Sequence, residues 1–329
     1  MRAKRFGVLS QTLPGFSGAV LVTRENRVVL REAVGVADSV TGEPLAPDSI
    51  FQICSVSKQI TAVAALVLCE DGVLDLRAPI SRWIVEAPPS WRQITLHHLL
   101  SNTSGLGHWD VVPGFDALHS LGVDEYVSRL AEQPLLFAPG TKWSYSSPGF
   151  MLAALAIERA SGEAYGGFLQ RRIFEPLGMA STSAGVPLRT PARGHVGGQP
   201  GDALAFVRLP GAGDVWSTVD DLARFAAAFD AGELFGNESC RLATTAHSRL
   251  PSTTSAWPDA LMRGGYGYGC VVGSLLGHSV RYHPGDNPGF RALQVRVPDL
   301  DFSVVILSNQ DETDIDAAGQ RLITCLADA

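Results

Sequence analysis

The chain has 329 residues, a length that suits one large composite domain or two closely packed ones. Hydrophobic residues make up 46% and charged residues 18% of the sequence, a mixture that can bury a core and excludes disorder, coiled coil and collagen. The formal net charge is −7 and no stretch is strongly basic, which argues against nucleic acid and anionic membranes as partners.

The sequence has no feature that is typical of a membrane-spanning or exported chain. Its longest apolar helical stretch, residues 62–69, is far shorter than the roughly 20 residues that cross a bilayer. The N-terminus has positive charges but only a broken apolar stretch, so we expect no signal peptide. The five cysteines are scattered and form no C-x-x-C pair, which favours free thiols and a cytoplasmic location.

Strand and helix signals divide the chain into three parts. Runs of β-branched residues predict a hairpin over residues 19–24 and 28–34 and a short strand over residues 50–53. Helices are then predicted over residues 57–70, 95–100, 123–132, 148–160, 164–174 and 219–229, the last capped by Ser217 or Thr218. Strands return over residues 266–272, 279–283, 290–297 and 302–307, before a final amphipathic helix over residues 313–326.

This order of elements predicts an α/β fold of the α+β type. The N- and C-terminal strands would pair in one antiparallel sheet flanked by helices, with a helical insertion on one side. Residues 1–75 and 200–329 would form the sheet subdomain, and residues 76–199 a mainly helical subdomain, within a single unit that spans the whole chain.

The segment Ser55-Val56-Ser57-Lys58 combines two residue types that support nucleophilic catalysis. Ser55 and Lys58 are three positions apart at the start of a helix, so both side chains lie on one face. A serine hydroxyl needs an adjacent base, and a lysine whose pKa is lowered by burial supplies one. Free N–H groups at the helix N-terminus can also stabilise an oxyanion. The motif alone is equally compatible with an N-capping Ser55 and an exposed Lys58.

Two later segments hold side chains that suit proton transfer. Tyr145 lies in a polar turn before a helix, where a phenol can shuttle protons if positive neighbours stabilise its phenolate. His283 is predicted to end a strand before Pro284-Gly285, and a glycine there lets a ligand approach the backbone. The imidazole can relay a proton or orient a substrate. Each residue alone is also compatible with a structural role.

The three segments, in this order, resemble the serine β-lactamase and penicillin-binding-protein superfamily, especially its class C-like branch with the family VIII esterases. Ser55-Val56-Ser57-Lys58 is similar to the S-x-x-K motif, Tyr145-Ser146-Ser147 to Y-x-N, and His283-Pro284-Gly285 to K-T-G in its H-x-G form. Residues 99–106 resemble the family's L-L-x-H-T-S-G-L segment, and residues 214–222 resemble its S-T-x-x-D-L stretch. The resemblance covers nearly the whole chain.

The resemblance implies an acyl-transfer mechanism without a metal or an organic cofactor. Ser55 would attack the carbonyl of a small acyl substrate, with Lys58 and Tyr145 sharing the role of base. His283 would take the place of the lysine of the third motif. The backbone N–H groups of Ser55 and Asp286 would form the oxyanion hole. The expected substrate-binding positions are Ser147, Gly285 and Asp286.

Three positions depart from the family's pattern. Ser147 replaces an asparagine whose amide contacts the substrate and the catalytic lysine. His283 replaces a lysine whose fixed charge would hold a carboxylate-bearing penicillin. Both changes favour an ester or thioester over a β-lactam. The third departure is Asn102, which replaces the histidine of the L-L-x-H-T-S-G-L segment.

The sequence therefore favours a serine hydrolase that cleaves small esters or thioesters. An acyltransferase of the same fold, a β-lactamase or D-alanyl-D-amino-acid peptidase, and a non-catalytic ligand-binding homologue stay open as alternatives. The sequence leaves the oligomeric state open. Four aromatic residues are candidates either for an apolar acyl pocket or for the core: Trp109, Trp143, Trp216 and Tyr266.

Overall fold

Strands occur at both ends of the chain in the computed structural model, which describes residues 13–25, 27–113, 122–201, 210–250, 264–275 and 277–327. In chain order the strands are β1 (Gly18–Arg24), β2 (Arg27–Val34), β3 (Val36–Asp38), β4 (Glu43–Pro44), β5 (Phe51–Gln52), β6 (Ser183–Ala184), β7 (His195–Val196), β8 (Gln199–Pro200), β9 (Val215–Ser217), β10 (Ser248–Arg249), β11 (Gly265–Tyr266), β12 (Val271–Leu275), β13 (His278–Asn287), β14 (Phe290–Val297) and β15 (Phe302–Ser308).

Eight of these strands form one antiparallel sheet in the order β10-β11-β12-β13-β14-β15-β1-β2. β1 pairs with β15, with Gly18 opposite Ser308 at one end and Arg24 opposite Phe302 at the other. Every residue of β15 is buried, as expected for a central strand with both faces covered. This arrangement confirms the predicted sheet built from the two ends of the chain. A second, three-stranded sheet has the order β5-β9-β6.

Most of the helices lie between the N-terminal and the C-terminal strands. In chain order they are α1 (Ser57–Glu70), α2 (Leu96–Leu100), α3 (Val123–Ala131), α4 (Ser147–Ser161), α5 (Tyr165–Leu169), α6 (Val219–Ala231), α7 (Asn237–Thr244) and α8 (Ile315–Ala327). α1 buries every residue from Ser57 to Leu68, because its sequence is apolar around nearly the whole circumference. No helix in the described residues is long and apolar enough to cross a bilayer.

Gln294 and Leu293, neighbours in β14, show which helices cover each face of the sheet. Gln294 donates from Nε2 to the carbonyl of Leu222 in α6, and its Oε1 accepts from Gln59 in α1. Successive side chains of a strand point to opposite faces. The Leu293 side chain lies directly against the Cα of Gly319 in α8, where a Cβ would collide with it. α1 and α6 therefore pack on one face and α8 on the other.

Most predicted elements are present, and the exceptions have local causes. Thr218 caps α6, because its Oγ1 accepts from the N–H of Asp221 at 3.2 Å. The single strand predicted over residues 266–272 is wrong. Gly269 adopts φ +70° and turns the chain back, so β11 and β12 pair with each other. α7 was not predicted from the sequence. The boundaries proposed for the two subdomains stay a prediction.

Candidate active site

The chain enters α1 through a tight turn that carries Ser55. Residues Cys54–Val56 form a 3₁₀ turn, and Cys54 adopts the left-handed φ of +52°. The Cys54 side chain is fully buried, and burial raises the pKa of its thiol, so the sulfur stays protonated. Ser55 is the half-buried residue of this turn, and its hydroxyl faces Lys58.

Ser55 and Lys58 are in direct contact, as the i, i+3 spacing predicted. The Nζ atom of Lys58 donates to Oγ of Ser55 at 2.9 Å and to the carbonyl of Ala212 at 2.6 Å. The alternative of a capping serine with an exposed lysine is wrong. Lys58 is 0% exposed, and the N-cap residue of α1 is Val56, which makes no side-chain cap.

Burial lowers the pKa of Lys58 to about 7, against an ordinary value near 10.5. The nearby carboxyl of Asp214 opposes this shift, but by less than burial lowers the pKa. Both hydrogen-bond acceptors of Lys58 are neutral oxygens. A free amine is therefore available near pH 7, and that amine is positioned to take the proton of Ser55.

Tyr145 precedes α4, and its ring lies against the amine of Lys58. The Lys58 Nζ is 5.0 Å from the centroid of the Tyr145 ring. The phenol shares hydrogen bonds with the hydroxyls of Ser55 and Ser147. Burial nevertheless raises the pKa of Tyr145, so the group is a neutral phenol near pH 7. This protonation state makes Lys58 the free base of the site and leaves Tyr145 to pass a proton along a hydrogen bond.

The turn before α4 is fixed by two side chains, Ser146 and Asn102, to which the motifs assigned no role. The Ser146 hydroxyl accepts from the N–H of Gly149 at 3.2 Å and so caps α4. Asn102, in a left-handed conformation with φ +57°, accepts the N–H of Ser146 at Oδ1. Asn102 therefore supports the loop that carries Tyr145, although it departs from the family's histidine.

His108 is a residue of the site that sequence reasoning missed. Its Nδ1 accepts the backbone N–H of Ser147 at 3.2 Å, and its ring centroid is 5.4 Å from that of Tyr145. Burial, and then the charge of Lys58, lower the pKa of His108 to about 4. The imidazole is therefore neutral near pH 7. No sequence spacing links residue 108 to the three motifs, so only the fold could reveal it.

β13 forms the opposite side of the site. His283 does not end this strand as predicted, because β13 continues through Pro284 and Gly285 to Asn287, paired with β14 throughout. Pro284 and Gly285, which were predicted to form a turn, lie within the pairing of β13 with β14. The Nε2 of His283 is 3.1 Å from the hydroxyl of Tyr266. Burial, and then the charge of Lys58, lower the pKa of His283 to about 3, so the imidazole is neutral near pH 7.

Gly285 allows β13 to lie directly against the turn that carries Ser55. A Cβ at this position would be 2.7 Å from the carbonyl of Ile53, 2.8 Å from Cβ of Cys54 and 3.1 Å from the backbone N of Ser55. No side chain fits there. The side chain of the next residue, Asp286, is 73% exposed and pairs with Arg291. The backbone N–H of Asp286, next to Gly285, stays the candidate donor to an oxyanion.

The structure brings the predicted residues into one site. The ring centroids of Tyr145 and His283 are 6.0 Å apart, and the Lys58 amine that contacts Ser55 lies 5.0 Å from the Tyr145 ring. Among the four candidate aromatics, Trp143 and Tyr266 border this site, because the Trp143 ring lies 6.5 Å from Tyr145 and 6.0 Å from Tyr266.

The other two candidate aromatics belong to the core. Trp216 packs against Phe290 at 5.7 Å, and Trp109 packs against Tyr126 at 5.4 Å between ring centroids. Within the described part of the chain, no group of three or more His, Cys, Asp or Glu residues is arranged to hold a metal ion.

The chain is similar to a known protein family and to individual proteins of that family. The family profile named Beta-lactamase matches residues 10–327. Esterase EstB of Burkholderia gladioli is 39% identical over 180 residues, which cover 49% of this chain and 45% of the esterase. Penicillin-binding protein 4* of Bacillus subtilis (strain 168) is 27% identical over 337 aligned positions, and the match covers 90% of this chain and 69% of that protein.

The solved structure of EstCE1, described as a hydrolase with promiscuous acyltransferase activity, matches with a TM-score of 0.77. The identity is 21%, and the match covers 97% of each chain. At this identity the likeness concerns the fold, which is of the β-lactamase and transpeptidase type, with helices packed on an antiparallel sheet. The chain spans less than half the length of the esterase from Burkholderia gladioli.

Proposed function

Because this chain belongs to the beta-lactamase family, we propose that it is a serine hydrolase that forms an acyl-enzyme on Ser55 and cleaves small esters or thioesters. One observation carries the proposal. A buried lysine whose pKa is lowered to about 7 contacts the Ser55 hydroxyl at 2.9 Å, which is the arrangement that an activated serine requires.

The reaction follows from these contacts. The free amine of Lys58 takes the proton of Ser55 while Oγ attacks the carbonyl carbon, and the carbonyl electron pair moves to the oxygen. Backbone N–H groups of Ser55 and Asp286 stabilise that oxyanion. The phenol of Tyr145 gives its proton to the departing alcohol or thiol and recovers one from Lys58. Water then attacks the acyl-enzyme by the reverse proton route and regenerates Ser55.

The polar residues around Ser55 support an ester or thioester as the substrate. His283 is neutral, so this position has no fixed cation for the carboxylate of a penicillin. Ser147 is shorter than an asparagine and has no side-chain amide to offer the substrate, and its hydroxyl is hydrogen-bonded to Tyr145. The Burkholderia gladioli relative is described as an esterase, which agrees with this substrate class.

Transfer of the acyl group to an amine or alcohol is the second candidate. The same acyl-enzyme serves both reactions, and the choice depends on which nucleophile reaches it. Trp143 is partly exposed beside Tyr145 and offers an apolar surface on which an organic acceptor can pack. The description of EstCE1 as an acyltransferase as well as a hydrolase favours this candidate over a β-lactamase.

We also propose that the protein is located in the cytoplasm.

Intact-protein mass spectrometry tests the proposal directly. The protein is mixed briefly with p-nitrophenyl butyrate, a butyryl thioester or a penicillin, beside the variants Ser55→Ala and Ser81→Ala. Ser81 is an exposed serine and serves as the matched control. We expect one added acyl group from the ester and the thioester in the wild type and in Ser81→Ala, and none in Ser55→Ala.

Two outcomes would overturn the proposal. An adduct from penicillin alone would replace the esterase with a β-lactam-reactive protein. No adduct and no turnover with any donor would contradict the catalytic function itself. Adding glycerol or butylamine to the ester reaction measures the second candidate, because an acyltransferase forms the acylated acceptor faster than the free acid.

A further inference from the structure

Within the described residues, the end of β13 that carries Asp286 pairs with a strand on one edge only. β12 pairs with β13 up to Tyr282, whereas β14 pairs with it as far as Asn287. The segment beyond Tyr282 therefore needs a further contact to keep Asp286 in place beside Ser55. Close packing at Gly285 permits this approach, but hydrogen bonds are directional and can fix the position of the strand.

Asn287, the last residue of β13, makes such bonds. The residue is buried, with only 5% of its surface exposed. Its Nδ2 atom donates to Oε1 of Gln52 at 2.9 Å and to the carbonyl of Gly213 at 3.0 Å. A primary amide has two N–H groups, so both are used in the fold and neither remains for a substrate.

The two acceptors belong to the segments that hold the nucleophile and its base. Gln52 lies in β5 and precedes Ser55 by three residues. Gly213 follows Ala212, whose carbonyl accepts from the amine of Lys58 at 2.6 Å. One side-chain amide thus joins the strand of the oxyanion site to both of these segments.

The orientation of the Gln52 amide follows from this contact. The carbonyl of Gly213 can only accept, so the Asn287 atom beside it is the donor Nδ2, and the Gln52 atom that faces Nδ2 is an oxygen. The Nε2 of Gln52 is then buried without a hydrogen-bond partner in the described part of the chain. Gln52 is therefore held by Asn287 and not by a full set of its own hydrogen bonds.

We propose that Asn287 is a positioning residue for acylation, whose amide holds Asp286 at a fixed distance from Ser55 and Lys58. This inference rests on the proposed function of Ser55 and Lys58. The oxyanion site takes one N–H group from each of two segments. A shift of either segment therefore weakens binding of the transition state more than binding of the ester.

The test compares Asn287→Leu with Asn309→Leu. Leucine has a similar shape but no donor, so Asn287→Leu breaks both hydrogen bonds. Asn309 is the matched control, because it is also buried and its Nδ2 donates to the carbonyls of Val36 and Arg193. Urea denaturation gives the folded fraction of each variant, and the burst with p-nitrophenyl butyrate gives the acylation rate per folded molecule.

We expect Asn287→Leu to be acylated roughly 10- to 100-fold more slowly than the wild type at saturating ester, because its oxyanion donor is misplaced. The half-saturating ester concentration should stay within about threefold of the wild-type value. The affinity for phenylboronic acid, which forms a tetrahedral adduct on an active serine, should fall together with the rate. Asn309→Leu should be acylated within about threefold of the wild-type rate.

Gln52→Leu covers the case in which Asn287→Leu fails to fold. It removes one acceptor of Asn287 together with the unpartnered Nε2, so it should slow acylation with little loss of stability. A wild-type acylation rate in whichever variant folds, or an equal loss of rate in Asn309→Leu, would overturn the inference. If the wild type itself forms no adduct, the proposed function fails instead, so the two failures are distinguishable.

Discussion

Two regions of the molecule bury positive charge in opposite ways, although both contact β13. Around Asp230, Arg281 and Arg296 are 5% and 7% exposed, and each donates to that carboxylate. Around Ser55, Lys58 is also buried, but its two hydrogen bonds go to neutral oxygens. A guanidinium paired with a carboxylate keeps its charge, whereas an amine without such a partner readily loses its proton. The first arrangement suits structure and the second suits catalysis.

Replacing the amine is expected to have the largest effect. Lys58→Met removes the base while filling a similar volume, and the acylation rate should fall by about 10³-fold. Lys58→Arg should be equally inactive because arginine stays protonated. Burst kinetics with a p-nitrophenyl ester measures this loss, with the exposed Lys142→Met as the control. Retention of more than a tenth of the wild-type rate in Lys58→Met would remove lysine from the role of base.

The approach of β13 to Ser55 should be the next most sensitive feature. Gly285→Ala places a Cβ 2.7 Å from the carbonyl of Ile53 and 3.1 Å from the N of Ser55, so the strand must shift. A misplaced oxyanion site lowers the acylation rate by about 100-fold. Gly167→Ala is the control, since a Cβ there meets nothing within 4 Å. Equal rates in the two variants would show that the close contact is irrelevant to catalysis.

The arginine region should respond in stability and not in activity. Arg281→Met leaves Asp230 with Arg296 alone, which should cost about 2–3 kcal/mol of unfolding free energy. Urea denaturation measures this loss, while the acylation rate per folded molecule stays within about threefold of the wild type. Arg129→Met breaks an exposed i, i+4 pair and should cost at most about 0.5 kcal/mol. Equal stabilities of the two variants would contradict the comparison.

The sequence allowed prediction of the parts of this site that depend on local spacing. Ser55 and Lys58 were predictable from one helical turn, and the sheet from the β-rich ends of the chain. The protonation state of Tyr145 was not predictable, because burial outweighs its hydrogen bonds. His283 was misplaced at a strand end because Pro284-Gly285 is a strong turn signal that pairing with β14 overrides.

His108 was missed because it reaches the site from a distant segment of the chain. His108 precedes Ser147, whose N–H it accepts, by 39 residues, so no spacing rule relates the two.

The pH dependence of Ser55 acylation in the wild type tests the central claim most directly. Protonated Lys58 cannot accept the serine proton, so the rate should rise with pH and level off above an apparent pKa of about 7. His283 should add no limb between pH 5 and 9, because its pKa is lowered to about 3. A single limb near pH 7 that disappears in Lys58→Met would support the account. A rate that is independent of pH over this range, or that falls as pH rises through 7, would contradict it.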